Sequence, residues 1–301
     1  MSLAARYDEF GPASVLKLVD VGELHPGDGE VRVRVRAAGL NPVDYKKRRG
    51  GSKYIVDLPA RTGREAAGVV DEVGDGVTRL SVGDEVFGLV GDGGVAESVV
   101  VPAESLTRKP AALEWTVAGA LALAGQTAHD AVASQHLNDT DVVLVSAAAG
   151  GVGLTIAQLA VRAGATVIGT ASEAHHEFLR GLGVIPVSYG PGLADRVRAA
   201  ASKPVTVVFD NHGAETIEAA VELGVDKRRI NSIATDPAEY GVVRVGRGPT
   251  NTGTLDRLAE LVVTGQLVVP IEKTYRLSEV VAAYEHLERG HLRGKIVIVA
   301  E

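Results

Sequence analysis

Cysteine is absent from this sequence of 301 residues. That excludes disulfides and any thiolate metal site, and it fits a reducing compartment such as the cytoplasm. Apolar runs long enough to span a bilayer are missing too, and the N-terminus lacks the basic-then-apolar pattern of an export signal. Without such a signal, the glycosylation sequon at Asn138, Asp139 and Thr140 is a chance match. Positive charge is in short supply: 31 Lys and Arg stand against 38 Asp and Glu, a formal net charge of −7. The two basic clusters, Lys46 to Arg49 and Lys227 to Arg229, are short and isolated, so they read as solvated turns and argue against a nucleic-acid surface. Internal repeats and low-complexity linkers are also lacking. What is left, 46% hydrophobic and 23% charged, is ordinary globular composition with length for one large or two ordinary domains.

Against that background one stretch organises the chain. Residues 141–153 read DVVLVSAAAGGVG: an apolar β-branched run, small residues, three glycines, and then apolar residues at helical spacing (Val152, Ile156, Leu159, Ala160, Ala163). Strand, glycine turn and helix are the context of a dinucleotide fingerprint. Gly150 lets the backbone approach a pyrophosphate, and Gly153 lets the helix pack closely on the strand. The diphosphate then meets the N–H groups of Gly151 and Val152 at the helix N-terminus. Ala148 replaces the usual first glycine, so the pattern is Ala-x-Gly-x-x-Gly. Gly164 and a second strand at Thr166 to Thr170 follow at the right distance.

Upstream the chain reads as β. Val31, Val33 and Val35 alternate with arginines, and glycine turns recur at Gly50–Gly51, Gly74–Gly76, Gly83 and Gly91–Gly94. Many short strands with frequent turns imply a closed or nearly closed barrel. Downstream of an alanine-rich helix, strands are expected at 142–146, 166–170, 185–187, 205–210, 229–233 and 242–245, with helices at 152–163, 173–182, 193–201 and 214–223 between most of them. That alternation makes a parallel, doubly wound sheet. After a helix at 254–264, short strands, a helix near 278–289 and a final strand at Ile296–Val299 rejoin the barrel. The expected division is 1–113 barrel, 114–266 dinucleotide-binding domain and 267–301 return to the barrel.

Four ordered motifs carry a family resemblance: AAGLNPVD at 37–44, GREAAGVV at 63–70, VGDEVFG at 82–88 and AAAGGVG at 147–153, with a closing RGKIV at 293–297. Over essentially the whole length the chain resembles the zinc-independent quinone oxidoreductases of the medium-chain dehydrogenase/reductase superfamily, relatives of ζ-crystallin. The resemblance implies a GroES-like barrel domain and a Rossmann domain with a cofactor cleft between them. The zinc-dependent members use a catalytic Cys and a His before the Glu of Gly-His-Glu. Here Asn41–Pro42 and Arg64 stand at those places, and the eight histidines offer no zinc-ligand spacing, so no zinc is expected.

NAD-specific sites place an Asp or Glu about 20 residues past the glycine turn. This chain has Gly169, Thr170, Ala171 and Ser172 there, so nothing repels a 2′-phosphate, and NADPH is favoured over NADH. Ser172 donates to that phosphate, with His175 or His176 as an added partner and no Arg or Lys in the segment, or it caps the helix starting at Glu173. The resemblance adds Tyr189 near the adenosine phosphate, and Thr127 and Asn41 toward the nicotinamide. It also adds the Ser232–Ile233 backbone at the carboxamide, and Lys295 in the closing motif. Asp210 ends the fourth strand at the ligand-binding edge, but Asn211 and His212 after it depart from the family pattern. Asp44 is read as holding the barrel loop in place.

The implied reaction delivers hydride to a quinone or an α,β-unsaturated carbonyl. The oxyanion is met by hydrogen-bond donors, and a proton comes from a side chain or water. Tyr45, ahead of Tyr54, is the candidate donor. A non-catalytic NADPH-binding sensor or structural protein and an alcohol or aldehyde oxidoreductase are the competing readings. The family commonly pairs Rossmann domains, so a homodimer is expected.

Overall fold

The computed structural model describes residues 2–51, 55–245 and 248–300. It divides into two compact units, residues 1–123 with 250–301 and residues 124–249.

The first unit starts with β1 (Leu3–Tyr7), β2 (Lys17–Asp20), β3 (Glu30–Gly39), helix α1 (Pro42–Arg48), β4 (Ala60–Arg61), β5 (Glu65–Val73), β6 (Glu85–Leu89), β7 (Ser98–Pro102) and β8 (Leu106–Arg108). Helix α2 (Trp115–Gln135) carries the boundary between the units. The second unit holds β9 (Val142–Val145), α3 (Gly151–Arg162), β10 (Thr166–Thr170), α4 (His176–Gly181), β11 (Val184–Val187), α5 (Leu193–Ala200), β12 (Val207–Asp210), α6 (Ala214–Glu222), β13 (Ile230–Ser232) and the short α7 (Pro237–Tyr240). The chain returns to the first unit with α8 (Thr252–Val263), β14 (Ile271–Arg276), α9 (Val280–Arg289) and β15 (Lys295–Val299).

In the first unit the valine–arginine alternation builds β3 as the central strand. It pairs antiparallel with β5, β7 and β15, so one face must be apolar. Val31, Val33 and Val35 are buried against Val70, Val86, Val99, Leu106 and Ile296, each valine contributing roughly 1.5–3 kcal/mol by leaving water. A seven-stranded sheet and a three-stranded sheet (β2-β1-β4) surround this core. β1 is tied to the loop between β6 and β7, where Ala5 N donates to Val95 O at 2.9 Å and Glu97 N to Leu3 O at 2.8 Å.

The second unit is a parallel sheet in the order β11-β10-β9-β12-β13, the doubly wound, Rossmann-type arrangement. β9 lies at its centre, and Val142, Val143, Leu144 and Val145 are all buried, as a strand covered by helices on both faces requires. One expected strand is absent as such. Residues 242–245 make an isolated bridge from Val243 to Asn231 and no ladder. The Asn231 amide replaces the ladder, accepting from Val245 N at 2.7 Å and donating to Val245 O at 3.2 Å. Among the described residues no helix is long and apolar enough to cross a membrane.

Candidate functional site

β9 ends at Val145, and the chain turns through Ser146 and Ala147, the latter with a left-handed φ of 48°. The turn is pinned to the next strand: Ala147 N donates to Thr170 Oγ1 at 3.2 Å and Ala148 N to Thr170 O at 2.9 Å. Gly150 is the N-cap of α3. It has no side chain with which to cap, and the first turn holds no acidic residue. The N–H groups of Gly151, Val152 and Gly153 therefore lack both intrahelical and side-chain acceptors, the standard makings of an anion site. Gly153 is sterically required, because a Cβ there would stand 2.3 Å from Ala147 O. Ala148, where a first glycine is usual, is fully buried. Its methyl group occupies space that Gly169 leaves open, since a Cβ on Gly169 would lie 2.6 Å from Ala148 Cβ. The neighbouring strand thus supplies the room the turn itself lacks.

Asp210, at the end of β12, is a hub that sequence reasoning did not assign. Its Oδ1 accepts from Ser146 Oγ (3.2 Å), His212 N (3.0 Å) and Gly213 N (2.9 Å). Its Oδ2 accepts from Ser232 Oγ (2.6 Å) and Thr235 Oγ1 (2.7 Å). Asn211 completes the set: its backbone N donates to Ser146 Oγ at 2.7 Å and its Nδ2 to Ser146 O at 3.0 Å. The departure at Asn211 is thereby explained as a tie between the ends of β9 and β12, while His212 contributes its backbone. The Ser232 hydroxyl is committed to Asp210, and Ile233 N donates to Asp210 O at 3.0 Å. Any ligand contact at 232–233 falls to the remaining backbone groups.

Ser172 follows β10 in the N-cap position of a short 3-10 turn, yet its hydroxyl makes no cap bond. Tyr189 follows β11 and is 44% exposed. Registers Thr170 to Val187 and Gly169 to Val145 put the ends of β11, β10 and β9 side by side. Ser172, Tyr189 and the glycine turn therefore share one edge of the sheet. Thr127 is buried on α2.

The other expected residues lie in the first unit. Asn41 precedes α1, and its amide is fully oriented. Nδ2 donates to Glu65 Oε1 at 2.8 Å and Gly39 O at 3.2 Å, while Oδ1 accepts from Lys295 Nζ. A donor-only ammonium on one side and a carboxylate on the other leave no choice of amide orientation. Lys295 also donates to Leu40 O at 2.8 Å and Glu65 Oε1 at 2.9 Å, which uses its three protons. Glu65 is wholly buried, and its second oxygen accepts from Leu123 N at 2.7 Å. Asp44 reaches back to Asn41 N at 2.8 Å, fixing the loop entering α1. Burial drives the Asp44 carboxyl up to about 7, against the pull of the Asn41 N–H and the Lys295 ammonium. Its Oδ1 has no partner. Tyr284, bridging Asp44 (3.3 Å) and Thr62 (2.7 Å), is pushed well above the ordinary tyrosine range, first by burial and then by Asp44. Tyr45 is half-buried on α1 against the barrel core, with the Arg49 guanidinium 5.4 Å from its ring centre. Tyr54 lies outside the described residues. Among the described residues no three of His, Cys, Asp and Glu gather to hold a metal ion.

Residues 27–111 match the family model for the alcohol dehydrogenase GroES-like domain, and residues 126–298 match that for zinc-binding dehydrogenases. The quinone oxidoreductase structure from Coxiella burnetii aligns with all of this chain and all of its own at 33% identity and a TM-score of 0.92. This chain belongs to the quinone oxidoreductase-like medium-chain dehydrogenases/reductases. An Escherichia coli quinone oxidoreductase complexed with NADPH aligns over 99% of both chains at 26% identity with a TM-score of 0.88. The chloroplastic NADPH-dependent alkenal/one oxidoreductase of Arabidopsis thaliana is 31% identical over 97% of this chain and 78% of its own length. The family membership makes this chain an oxidoreductase. It also accounts for the pairing of a GroES-like unit with a Rossmann-type one.

Proposed function

We propose that the protein is an NADPH-dependent reductase that passes hydride to a quinone or an α,β-unsaturated carbonyl without a metal. The observation that carries this reading is the uncapped, acid-free start of α3 behind a turn where only glycine fits at 153. The relatives named above act on that substrate class, and two of the three carry NADPH in their own descriptions.

Bound NADPH supplies the hydride. The N–H groups of Gly151, Val152 and Gly153 hold the diphosphate, and the Asp210 hub stiffens the loops on the neighbouring strand ends. The end of β10 and the two residues after it, Thr170, Ala171 and Ser172, carry no carboxylate where NAD-specific sites place one, which favours a 2′-phosphate. Asn41 acts as an acceptor only, because both of its amide protons are already given to Glu65 and Gly39; Lys295 and Glu65 hold it in that orientation. Developing negative charge on the substrate oxygen must then be met by other donors or by water, with Tyr45 as the side-chain candidate for the proton. Asn41 and Arg64, at the places where zinc-dependent members use Cys and His, support the absence of catalytic zinc. The lack of cysteine supports a cytoplasmic setting, and family habit supports a homodimer.

The test is turnover of purified protein with NADPH and with NADH against a panel of quinones and enones, with and without a chelator. Consumption of NADPH unaffected by chelator supports the proposal. Tight NADPH binding with no turnover supports a sensor instead, and oxidation of alcohols supports the alcohol dehydrogenase reading.

A further inference from the structure

Recognising a 2′-phosphate calls for positive charge near the end of the second sheet strand. The segment after β10 has no permanent cation to offer: residues 169–176 contain no Arg or Lys, His176 Nε2 is engaged with Ala171 O at 3.2 Å, and His175, the other histidine there, is charged only when protonated. The adjacent strand end carries it. β10 and β11 pair in parallel up to Thr170 and Val187, and Ala171 N donates to Val187 O at 3.1 Å. The loop after β11, Ser188 to Gly192, therefore lies directly alongside Ser172.

That loop is wrapped around one side chain. Arg196, from the first turn of α5, donates Nε to Ser188 O at 2.8 Å, Nη1 to Pro191 O at 2.7 Å and Nη2 to Gly190 O at 2.6 Å. Left-handed Gly190 (φ 98°) and Gly192 (φ 78°) bend the chain so that these carbonyls converge. Three acceptors leave two of the five guanidinium protons unused. All three are neutral carbonyls, and among the described residues no carboxylate pairs with this guanidinium. The neighbouring Arg198, by contrast, is paired with Asp195 and Glu222. Arg180 closes α4 just before β11 begins, which puts it toward the opposite edge of the sheet.

We infer that Arg196 is the cation that distinguishes NADPH from NADH, meeting the 2′-phosphate together with the Ser172 hydroxyl and the Tyr189 loop. The inference rests on the cofactor reading above and assigns the charge that the segment after β10 does not contain. A guanidinium presents its remaining protons in a rigid fork suited to phosphate.

The test is calorimetric titration of NADPH, NADH, 2′,5′-ADP and 5′-ADP into wild type, Arg196→Met and Arg196→Lys. Arg196→Met should weaken NADPH and 2′,5′-ADP by roughly 10- to 100-fold, the range of a charge-assisted hydrogen bond, and leave NADH and 5′-ADP within about threefold of wild type. Arg196→Lys, which keeps charge without the fork, should fall between. If Arg196→Met weakens all four ligands in parallel, Arg196 only shapes the loop and the assignment is overturned. It is equally overturned if the NADPH-to-NADH ratio survives the substitution. Wild type binding none of the four removes the cofactor reading itself, a result distinct from either.

Discussion

Asp44→Asn tests the physics of the barrel interior most directly. The Asp44 carboxyl is buried beside Asn41, Tyr284, Glu65 and Lys295, and folding raises its pKa from 3.8 to about 7. The cause is chiefly lost hydration, only partly offset by the Asn41 N–H and the Lys295 charge. A carboxyl whose folded pKa is raised favours the protonated folded chain. Its contribution is therefore fully present below about pH 4 and is lost as pH rises through 7. Three units at ~1.4 kcal/mol each make that loss about 4 kcal/mol. Asparagine has the shape of the protonated acid and does not titrate. The difference in unfolding free energy, variant minus wild type, should thus climb by about 4 kcal/mol between pH 4 and pH 8. This holds whatever the variant's stability at a single pH. Trp115, the sole tryptophan and a first-unit residue stacked under the Lys109 ammonium at 4.6 Å, gives a local fluorescence signal for urea unfolding at each pH. A difference that stays flat across the range, or one that falls, would refute the argument that desolvation dominates at Asp44.

Other perturbations probe other parts of the molecule. Gly153→Ala puts a methyl group into Ala147 O and should cost about 1–3 kcal/mol by overpacking, read as a lower thermal midpoint together with weaker NADPH binding. Glu65→Gln leaves the Lys295 ammonium buried without its counter-charge. It should destabilise by roughly 3–5 kcal/mol in urea titration, and adding Lys295→Met should recover part of that loss. Asp210→Asn swaps an acceptor for a donor in front of two hydroxyls. A cost of about 1–3 kcal/mol and a looser NADPH complex are expected, the first by denaturation and the second by calorimetry.

What was legible in the chain beforehand is what local pattern encodes. The valine–arginine alternation of β3 and the apolar spacing of α3 are short-range signals: the first falls inside β3, which runs on to Gly39, and the second places its helix within one residue at each end. The glycine turn was legible for the same reason, although the consequence of Ala148 was not. The space it needs comes from Gly169, one strand over, and no local rule pairs those positions. The strand expected at 242–245 shows the converse error: valine content alone suggests a ladder, but Asn231 already fills the pairing positions with its amide. Buried polar clusters were the least legible. Asp210 looked like one acid ending an apolar strand, and nothing nearby announces that Ser146, Ser232 and Thr235 converge on it. The closing motif marks Lys295 only as a cofactor residue, and nothing in the sequence gives Glu65 a role. Each looks solvent-facing by type, and only the fold, by bringing β5 and β15 up to Asn41, makes them mutual partners. The cost of burying such charges is repaid only when all the partners are present together. A single substitution among Asn41, Glu65 and Lys295 should accordingly perturb stability more than the same change at any of the alternating β3 arginines, whose charges stay partly in water.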